Sequence, residues 1–432
     1  MSTTRTHHVA LVNEGTVLVR TDGTLPRFEQ DLEPDDGPDP TAYASTLVGP
    51  AVHLAPVARI PDAEGRTSRD SDRLHVVALR GEPVEEGEWL AVEELPDPWA
   101  ATVRSALQQH DGRAPALRPE WYLPGWHGEV ESWVDAALAG TDRRRTAPVV
   151  VHRVWSISAV LRVPTDRGDL WFKACCDHFR AEAAILHRLS RRLPDLVPVL
   201  VAVDDDRGWL LMEPLVGASD DDRAPGAPAA LAPVWTAAQL ASLDWLDELA
   251  GAGCPDRTLE PTLAAWRHVL VTSPEMELLT AEEREALLGA ADEVEARVRE
   301  LWACGIPDTL SHGDLHLGNV AYDGTVLRLF DWTDACVSHP FLDGIHLASF
   351  VGFESGLEPS GIMRDFAAPW RTACPEADVD RALELAGLAD LVFQSVTFAG
   401  IAEATEDGAD DFTGTVAWLS RAILREVGAA PA

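Results

Sequence analysis

Residues 311–331 read SHGDLHLGNVAYDGTVLRLFD, and they hold an acid (Asp314), an amide five positions later (Asn319) and a second acid closing an apolar run (Asp331). A carboxylate that can take a hydroxyl proton, beside an amide and a carboxylate that can share a metal ion, is what phosphoryl transfer asks of a protein. That chemistry is mostly positioning and charge neutralisation. Oxygen donors suit Mg²⁺, which keeps several waters, takes one or two protein ligands and shares the substrate phosphates.

The elements around these residues must bring them together. From Asn319 the chain runs through Val320, Ala321 and Tyr322 to Asp323-Gly324, then through Thr325 to Phe330. This predicts two short strands joined by a two-residue Asp-Gly turn. With Asp323 and Gly324 as the central pair, Tyr322 faces Thr325 and Asn319 faces Arg328. Asp331 then lies three residues further, about 10 Å along the strand, so a curved loop before Asn319 has to close the distance.

At these residues the sequence resembles the aminoglycoside phosphotransferase and choline kinase-like family, small-molecule relatives of the protein kinases. His312-Gly313-Asp314-Leu315-His316-Leu317-Gly318-Asn319 is similar to that family's H-G-D-x-H-x-x-N loop, Phe330-Asp331-Trp332 to its (I/F)-D-W, and Pro340-Phe341-Leu342-Asp343 to its downstream bracing element. The resemblance implies that Asp314 is the catalytic base, that Asn319 and Asp331 bind Mg²⁺, and that Asp343 braces the loop. His312 is expected to shape the loop, and His316 is left open among phosphate, metal and backbone. The implied fold is α+β: a two-lobed, protein-kinase-like arrangement with a small β-rich N-lobe and a larger helical C-lobe, preceded here by a separate α+β domain.

A nucleotide lobe should precede the loop. Residues 149–154 and 160–163 are Val-rich strands around Trp155-Ser156-Ile157-Ser158-Ala159, a small polar turn whose backbone N–H groups can approach phosphates. No Gly-rich or Walker motif is present; the family often uses a Ser-containing loop instead, which makes Ser156 and Ser158 candidates. The following strand, Leu170-Trp171-Phe172-Lys173-Ala174, carries one Lys on the face opposite Phe172. Glu182 then falls on an apolar helical stripe with Phe179, Ala183, Leu186 and Leu189. A carboxylate there costs several kcal/mol unless paired, and Lys173 is the expected partner, the pair that aligns ATP phosphates in kinases. Trp209 to Gly217 resembles the family's last N-lobe strand and hinge, with Met212, Glu213 and Leu215 presenting the backbone edge to adenine beside Pro214.

The expected organisation is an accessory domain over 1–115, a linker and docking helix over 116–148, the N-lobe over 149–216 and the helical C-lobe over 217–432. In the accessory domain, a pairing of 15–20 with 25–29 and a strand at 88–95 faintly resemble Nudix-hydrolase framework strands, without the R-E-x-x-E-E box. In 121–138, Trp126, Val130, Trp133, Val134 and Leu138 share one side of a helix. Residues 217–228 read as an interlobe linker or mobile loop. Thr280 to Glu283 is a capping box opening a helix whose stripe of Leu287, Leu288, Ala291, Val294, Val298 and Leu301 runs to Gly305. Further helices are expected over 232–250, 258–271, 341–354, 378–398 and 412–427.

Composition limits the partners. A net charge of −36 repels nucleic acid and anionic membranes and suits a cationic acceptor. Glu403, Glu406, Asp407, Asp410 and Asp411 lie where the family often places substrate-binding helices. Six Cys without metal-ligand spacing point to a reduced, cytoplasmic protein; no signal-peptide core or membrane-length apolar run is read. The sequence therefore implies an ATP- and Mg²⁺-dependent transfer to a hydroxyl of a small molecule, an amino sugar or aminoglycoside first, with nucleosides, sugars, choline-like alcohols and other antibiotics open. A nucleotide-binding regulator with an idle site, and a hydrolase acting through the first domain, are the rival readings.

Overall fold

The computed structural model describes residues 4–31, 39–48, 50–61, 66–67, 71–80, 86–219, 222–224, 226–355, 359–406 and 412–431, without the side chains of 352–355 and 359. The chain divides into two compact units. The first comprises 1–177, 209–213 and 405–407; the second comprises 178–208, 214–404 and 408–432.

In the first unit, β1 (Thr4–Asn13), β2 (Thr16–Val19), β3 (Arg27–Asp31), β4 (Ala51–His53), β5 (Ala58–Arg59), β6 (Arg73–Leu79) and β7 (Glu88–Ala91) form a mixed sheet. Its path is β4-β6-β1-β2-β7, with β1 and β6 parallel. Successive side chains of β1 point to opposite faces, and both faces are covered, which explains the unbroken apolar run Val9-Ala10-Leu11-Val12. Ala10 and Val12 pack with Ala100, Val103 and Ala106 of α2 (Trp99–Gln108). Val9 and Leu11 turn to the other face, with Ala44 of α1 (Pro40–Leu47). The expected pairing of 15–20 with 25–29 does not form: β2 pairs with β1 and β7, while β3 pairs with β1. The interval 20–26 is taken up by a turn, in which Arg20 N donates to Thr24 O at 2.8 Å. The expected strand at 88–95 stops at Ala91, where the chain enters a 3₁₀ turn whose first residue, Val92, is buried.

Helix α3 (Trp126–Leu138) covers a second sheet of the same unit, formed by β8 (Val150–Val154), β9 (Ser158–Val163), β10 (Leu170–Cys175) and, after β11 (Leu200–Asp204) of the second unit, β12 (Trp209–Met212). Trp126 and Trp133 meet Phe172 and Trp209 edge to face, with ring centroids 5.7–6.1 Å apart, a favoured aromatic geometry. Phe172 therefore faces α3, and the pleat turns Lys173 to the opposite face.

The second unit is mainly helical: α4 (Glu182–Arg192), α5 (Ala227–Ser242), α6 (Leu246–Gly251), α7 (Leu259–Thr272), α8 (Ala281–Ala303), α9 (Phe341–Ser355), α10 (Pro359–Ala373), α11 (Val379–Ala404) and α12 (Thr415–Glu426). Short strands β13 (Thr309–Ser311) to β16 (Cys336–Ser338) lie between α8 and α9, with β14 (Val320–Tyr322) paired to β15 (Leu327–Leu329). The Thr280 capping box forms, and the stripe of α8 is buried except Leu288, which is half exposed because Ala290 takes the inward position. Helix α10, which holds Pro369, was not expected. By length and composition α11 could cross a membrane, contrary to the expectation that no run reaches that length. Its most apolar window is 67% buried inside the protein, as a core helix would be.

Candidate functional site

The hairpin after Asn319 is wider than its Asp-Gly pair implies. Tyr322 pairs with Leu327, Ala321 with Arg328 and Val320 with Leu329, leaving a four-residue loop. Asp323 closes that loop by accepting at Oδ1 from the N–H groups of Thr325 and Val326, each at 2.8 Å. Compared with the expected register, every residue of the second strand is displaced by two. Phe330 N now donates to Asn319 O at 3.1 Å, and Asp331 is the next residue. The gap of three residues shrinks to one.

Asn319 is buried, and its Nδ2 donates to Asp314 O at 2.9 Å and to Asp314 Oδ2 at 3.0 Å. With both amide protons aimed at Asp314, Oδ1 is the Asn319 atom left for a cation. Asp331 adopts φ of 60°, a left-handed conformation that Asp tolerates better than most residues. Its Oδ1 accepts from Thr333 Oγ at 3.1 Å. These are hard oxygen donors, and they fit Mg²⁺. Among the described residues no three His, Cys, Asp or Glu side chains form a metal cage of their own, so a cation here would depend on substrate oxygens.

Asp343, at the start of α9, receives four donors. Its Oδ2 accepts from His312 N (2.9 Å), Trp235 Nε1 (2.9 Å) and Gln239 Nε2 (3.2 Å), and its Oδ1 accepts from Gly313 N (3.0 Å). These bonds join the start of α9 to the loop at His312 and Gly313 and to α5 at Trp235 and Gln239. His312 is fully buried; its Nε2 donates to Phe330 O at 3.1 Å and its ring lies 4.7 Å from Trp332. Burial lowers its pKa, so the neutral ring ties the loop to the hairpin. Gly313 has φ of 80°, and a Cβ there would collide with the Asp334 carbonyl oxygen. His316 Nδ1 accepts from Gly318 N at 3.1 Å, and its Nε2 lies 3.5 Å from Asp314 Oδ2.

The Asp314 side chain is 40% exposed, whereas the groups that support it are largely enclosed. Burial raises its pKa, but hydrogen bonds from His316 and His346 outweigh this and hold it below the usual carboxylate range. His346, Asp390 and Gln394 were not foreseen. The available signal was positional, since His346 follows Asp343 by one helical turn and Gln394 follows Asp390 by another. Asp334 was also missed: burial and the charges of Asp314 and Asp331 raise its pKa to about 7. Thr333 Oγ lies 3.1 Å from Asp331 Oδ1 and 3.0 Å from Asp334 Oδ2. One hydroxyl proton cannot serve two carboxylates, and a protonated Asp334 donating to Thr333 resolves the conflict.

The other candidates fall in both units. Lys173, Ser156, Ser158, Met212 and Glu213 belong to the first; Glu182 and Leu215 belong to the second. Lys173 is buried at the centre of its sheet, opposite Val160 and Leu210. Ser158 Oγ accepts from Trp155 Nε1 at 2.7 Å, and both carboxylate oxygens of Glu213 are taken by Arg143, at 2.9 and 3.1 Å. Glu182 is buried on α4, and its Oε1 accepts from Trp332 N at 2.9 Å, next to Asp331. The described part of 217–228 is tied down rather than loose: Arg223 Nε donates to Val320 O at 3.0 Å and Ala224 N to Tyr322 O at 2.8 Å. In the proposed acidic cluster, Glu406 is engaged by both Nε and Nη2 of Arg118, the latter at 2.7 Å. Asp407, Asp410 and Asp411 lie outside the described residues.

The sequence pattern of the phosphotransferase enzyme family matches residues 153–375, slightly more than half of the chain. The chain belongs to that family. As the resemblance implied, this phosphotransferase is an α+β protein of the two-lobed kinase-like class acting on small molecules. Among solved structures, it is similar to macrolide 2'-phosphotransferase type I (17% identity, TM-score 0.45, 70% of this chain and 97% of that one). A choline/ethanolamine kinase family protein from Mesorhizobium loti matches at 18% identity and TM-score 0.44, over 70% of this chain and 98% of that one. The GDP complex of wild-type aminoglycoside 2'-phosphotransferase-IIIa matches at 14% identity and TM-score 0.47, over 69% and 98%. No curated protein matches the phosphotransferase.

Proposed function

We propose that this phosphotransferase moves the γ-phosphoryl group of ATP, with Mg²⁺, to a hydroxyl of a small molecule, of which amino sugars and aminoglycoside-like compounds are the first candidates. The observation that carries the reading is the shared anchoring of Asp314 and Asn319 beside Asp331. A partly exposed carboxylate can meet a hydroxyl, while the Asn319 Oδ1 and Asp331 carboxylate oxygens can meet a cation.

In this reading Asp314 accepts the acceptor's hydroxyl proton as that oxygen bonds to the γ-phosphorus. The bond from phosphorus to the β–γ bridging oxygen breaks, and ADP leaves. Mg²⁺, when bound by Asn319 and Asp331, neutralises charge on the phosphate oxygens. Asp343 and His312 keep the loop in place, and Lys173 supplies a positive charge to the phosphates. The formal charge of −36 favours a cationic acceptor, and Glu403 is the exposed acid of the described part of the C-terminal cluster. The six free cysteines fit a reducing, cytoplasmic setting.

The test is ATP consumption by the full-length protein with and without a panel of amino sugars, aminoglycosides, nucleosides and choline, with and without Mg²⁺. Acceptor-stimulated, Mg²⁺-dependent turnover supports the reading. ATP binding with no turnover on any acceptor supports an idle, regulatory site instead.

A further inference from the structure

Asp314 is held by more than its own loop. His346 on α9 brings Nε2 to 3.1 Å from Asp314 Oδ1. Behind it, His346 Nδ1 lies 3.2 Å from Gln394 Nε2 and 3.8 Å from Asp390 Oδ1, both on α11. Gln394 Nε2 also donates to Gly313 O at 3.3 Å. Asp390 Oδ1 is enclosed and has no hydrogen-bond partner among the described residues. Phe350, one turn beyond His346, covers the imidazoles of His346 and His316, at 4.8 and 5.0 Å.

A single imidazole between two carboxylates is an expensive choice for filling space, because each charge placed there must be offset. Burial lowers the His346 pKa, but the hydrogen bond to Asp314 and the nearby carboxylate of Asp390 reverse this and raise it to about 10. The protonated ring donates from Nε2 to Asp314. Its other N–H needs an acceptor, and the orphaned Asp390 oxygen stands on that side. Gln394, with its NH₂ toward Nδ1, suits the neutral ring and must turn its amide when the ring is charged. The charged and titratable groups around this unit are Asp314 and His316 from the loop, and Asp390 from α11.

We propose that His346, backed by Asp390 and Gln394, is a positioning residue that fixes the Asp314 carboxylate for phosphoryl transfer. This rests on the reading of Asp314 as the base. His346 occupies Oδ1 and leaves Oδ2, which Asn319 and His316 also approach, to receive the acceptor proton; it does not itself touch substrate.

The experiment compares His346→Ala, His346→Gln, Asp390→Asn and Asp314→Asn in the full-length protein, measuring kcat and the KM for ATP with the acceptor that gives most turnover, and thermal midpoints in parallel. Supporting groups of this kind typically contribute about 10–100-fold to activity. His346→Ala is expected to lose kcat on that scale with the KM for ATP within about twofold, and added imidazole should restore part of it. His346→Gln, which keeps a donor, should recover part of the lost rate, and imidazole should not rescue Asp314→Asn. Wild-type kcat in His346→Ala, or a loss confined to KM or to stability, overturns the proposal. Should His346→Ala not fold, His346→Gln and Asp390→Asn decide: wild-type kcat in both overturns it, and lowered kcat with unchanged KM supports it. If Asp314→Asn retains full turnover, the underlying assignment of the base falls; if it is inactive while the His346 variants run at wild-type rate, only the role of His346 falls.

Discussion

Asn319 Nδ2 donates to Asp314 Oδ2 at 3.0 Å, so the amide proposed to hold a cation is oriented by the acid proposed to take a proton. The two proposed roles share one rigid unit, and a change to either residue is expected to disturb both. Asp331 is the separable member, held by Thr333 and by its own backbone conformation.

Asp331→Asn should therefore isolate the metal. Asn tolerates the left-handed backbone nearly as well as Asp, whereas Ala adds about 1 kcal/mol of strain. The Asn variant is expected to keep its thermal midpoint and to need at least about tenfold more Mg²⁺ for half-maximal turnover, in line with the loss of one charged ligand. A Mg²⁺ titration measures this; an unchanged requirement would remove Asp331 from the metal site.

Asp343, on α9, accepts four hydrogen bonds, two of them from the loop backbone. Asp343→Ala leaves four enclosed donors without their acceptor, and each such loss costs about 1–3 kcal/mol where water cannot enter. The expected result is a destabilisation of at least about 3 kcal/mol together with lost activity. Asp343→Asn, with one acceptor oxygen and an NH₂ facing donors, should fall between. Denaturant unfolding checks both, and an Ala variant as stable as wild type would contradict the bracing role.

Glu182 can be divided by an isosteric change. Glu182→Gln keeps an oxygen for Trp332 N but removes the charge proposed to align Lys173. Stability should change by less than about 1 kcal/mol, the scale of one ordinary hydrogen bond, while the KM for ATP rises. If the KM stays constant, Glu182 serves the Asp331-Trp332 backbone alone.

The first unit carries a pH dependence unrelated to phosphate chemistry. Gln30 Oε1 accepts from His7 Nε2 (3.0 Å), His7 Nδ1 from His75 Nε2 (2.9 Å), and His75 Nδ1 from His53 Nε2 (3.0 Å). The acceptor-only oxygen at one end sets every tautomer in the chain. Burial pushes His7 down to about 4 and His53 down to about 3, and it lowers His75 as well. Since the folded pKa values lie below the unfolded 6.5, the unfolded chain binds more protons. Stability is then fully present above pH 6.5 and is lost as the pH falls toward the folded values, at up to about 1.4 kcal/mol per pH unit for each histidine. Denaturant unfolding between pH 7.5 and 5 should show this decline, and His53→Gln should make it shallower. A flat profile would mean that the imidazoles titrate in the folded chain as they do in the unfolded one.

The loop was legible as a motif because His312, Asp314 and Asn319 lie within eight residues of one another, with Asn319 Nδ2 on Asp314, whereas the partners Trp235 and Gln239 of Asp343 lie more than a hundred residues away and were not. The hairpin register was misread because Asp323-Gly324 signals a tight turn, while the Asp323 carboxylate stabilises a wider one. His346, Asp390 and Gln394 were not legible, since they meet Asp314 only through the packing of α9 against α11. The same holds for Arg118 and Glu406, 288 residues apart in sequence.

The central claim is tested most directly by the rate of phosphoryl transfer in Asp314→Asn, at saturating ATP, Mg²⁺ and acceptor. Asn keeps an oxygen for the Asn319 amide and for His346, so the fold and ATP binding should survive, but it cannot take a proton. The account predicts a fall in kcat of about 10²–10⁴-fold with the ATP dissociation constant unchanged. Full turnover by Asp314→Asn would contradict it.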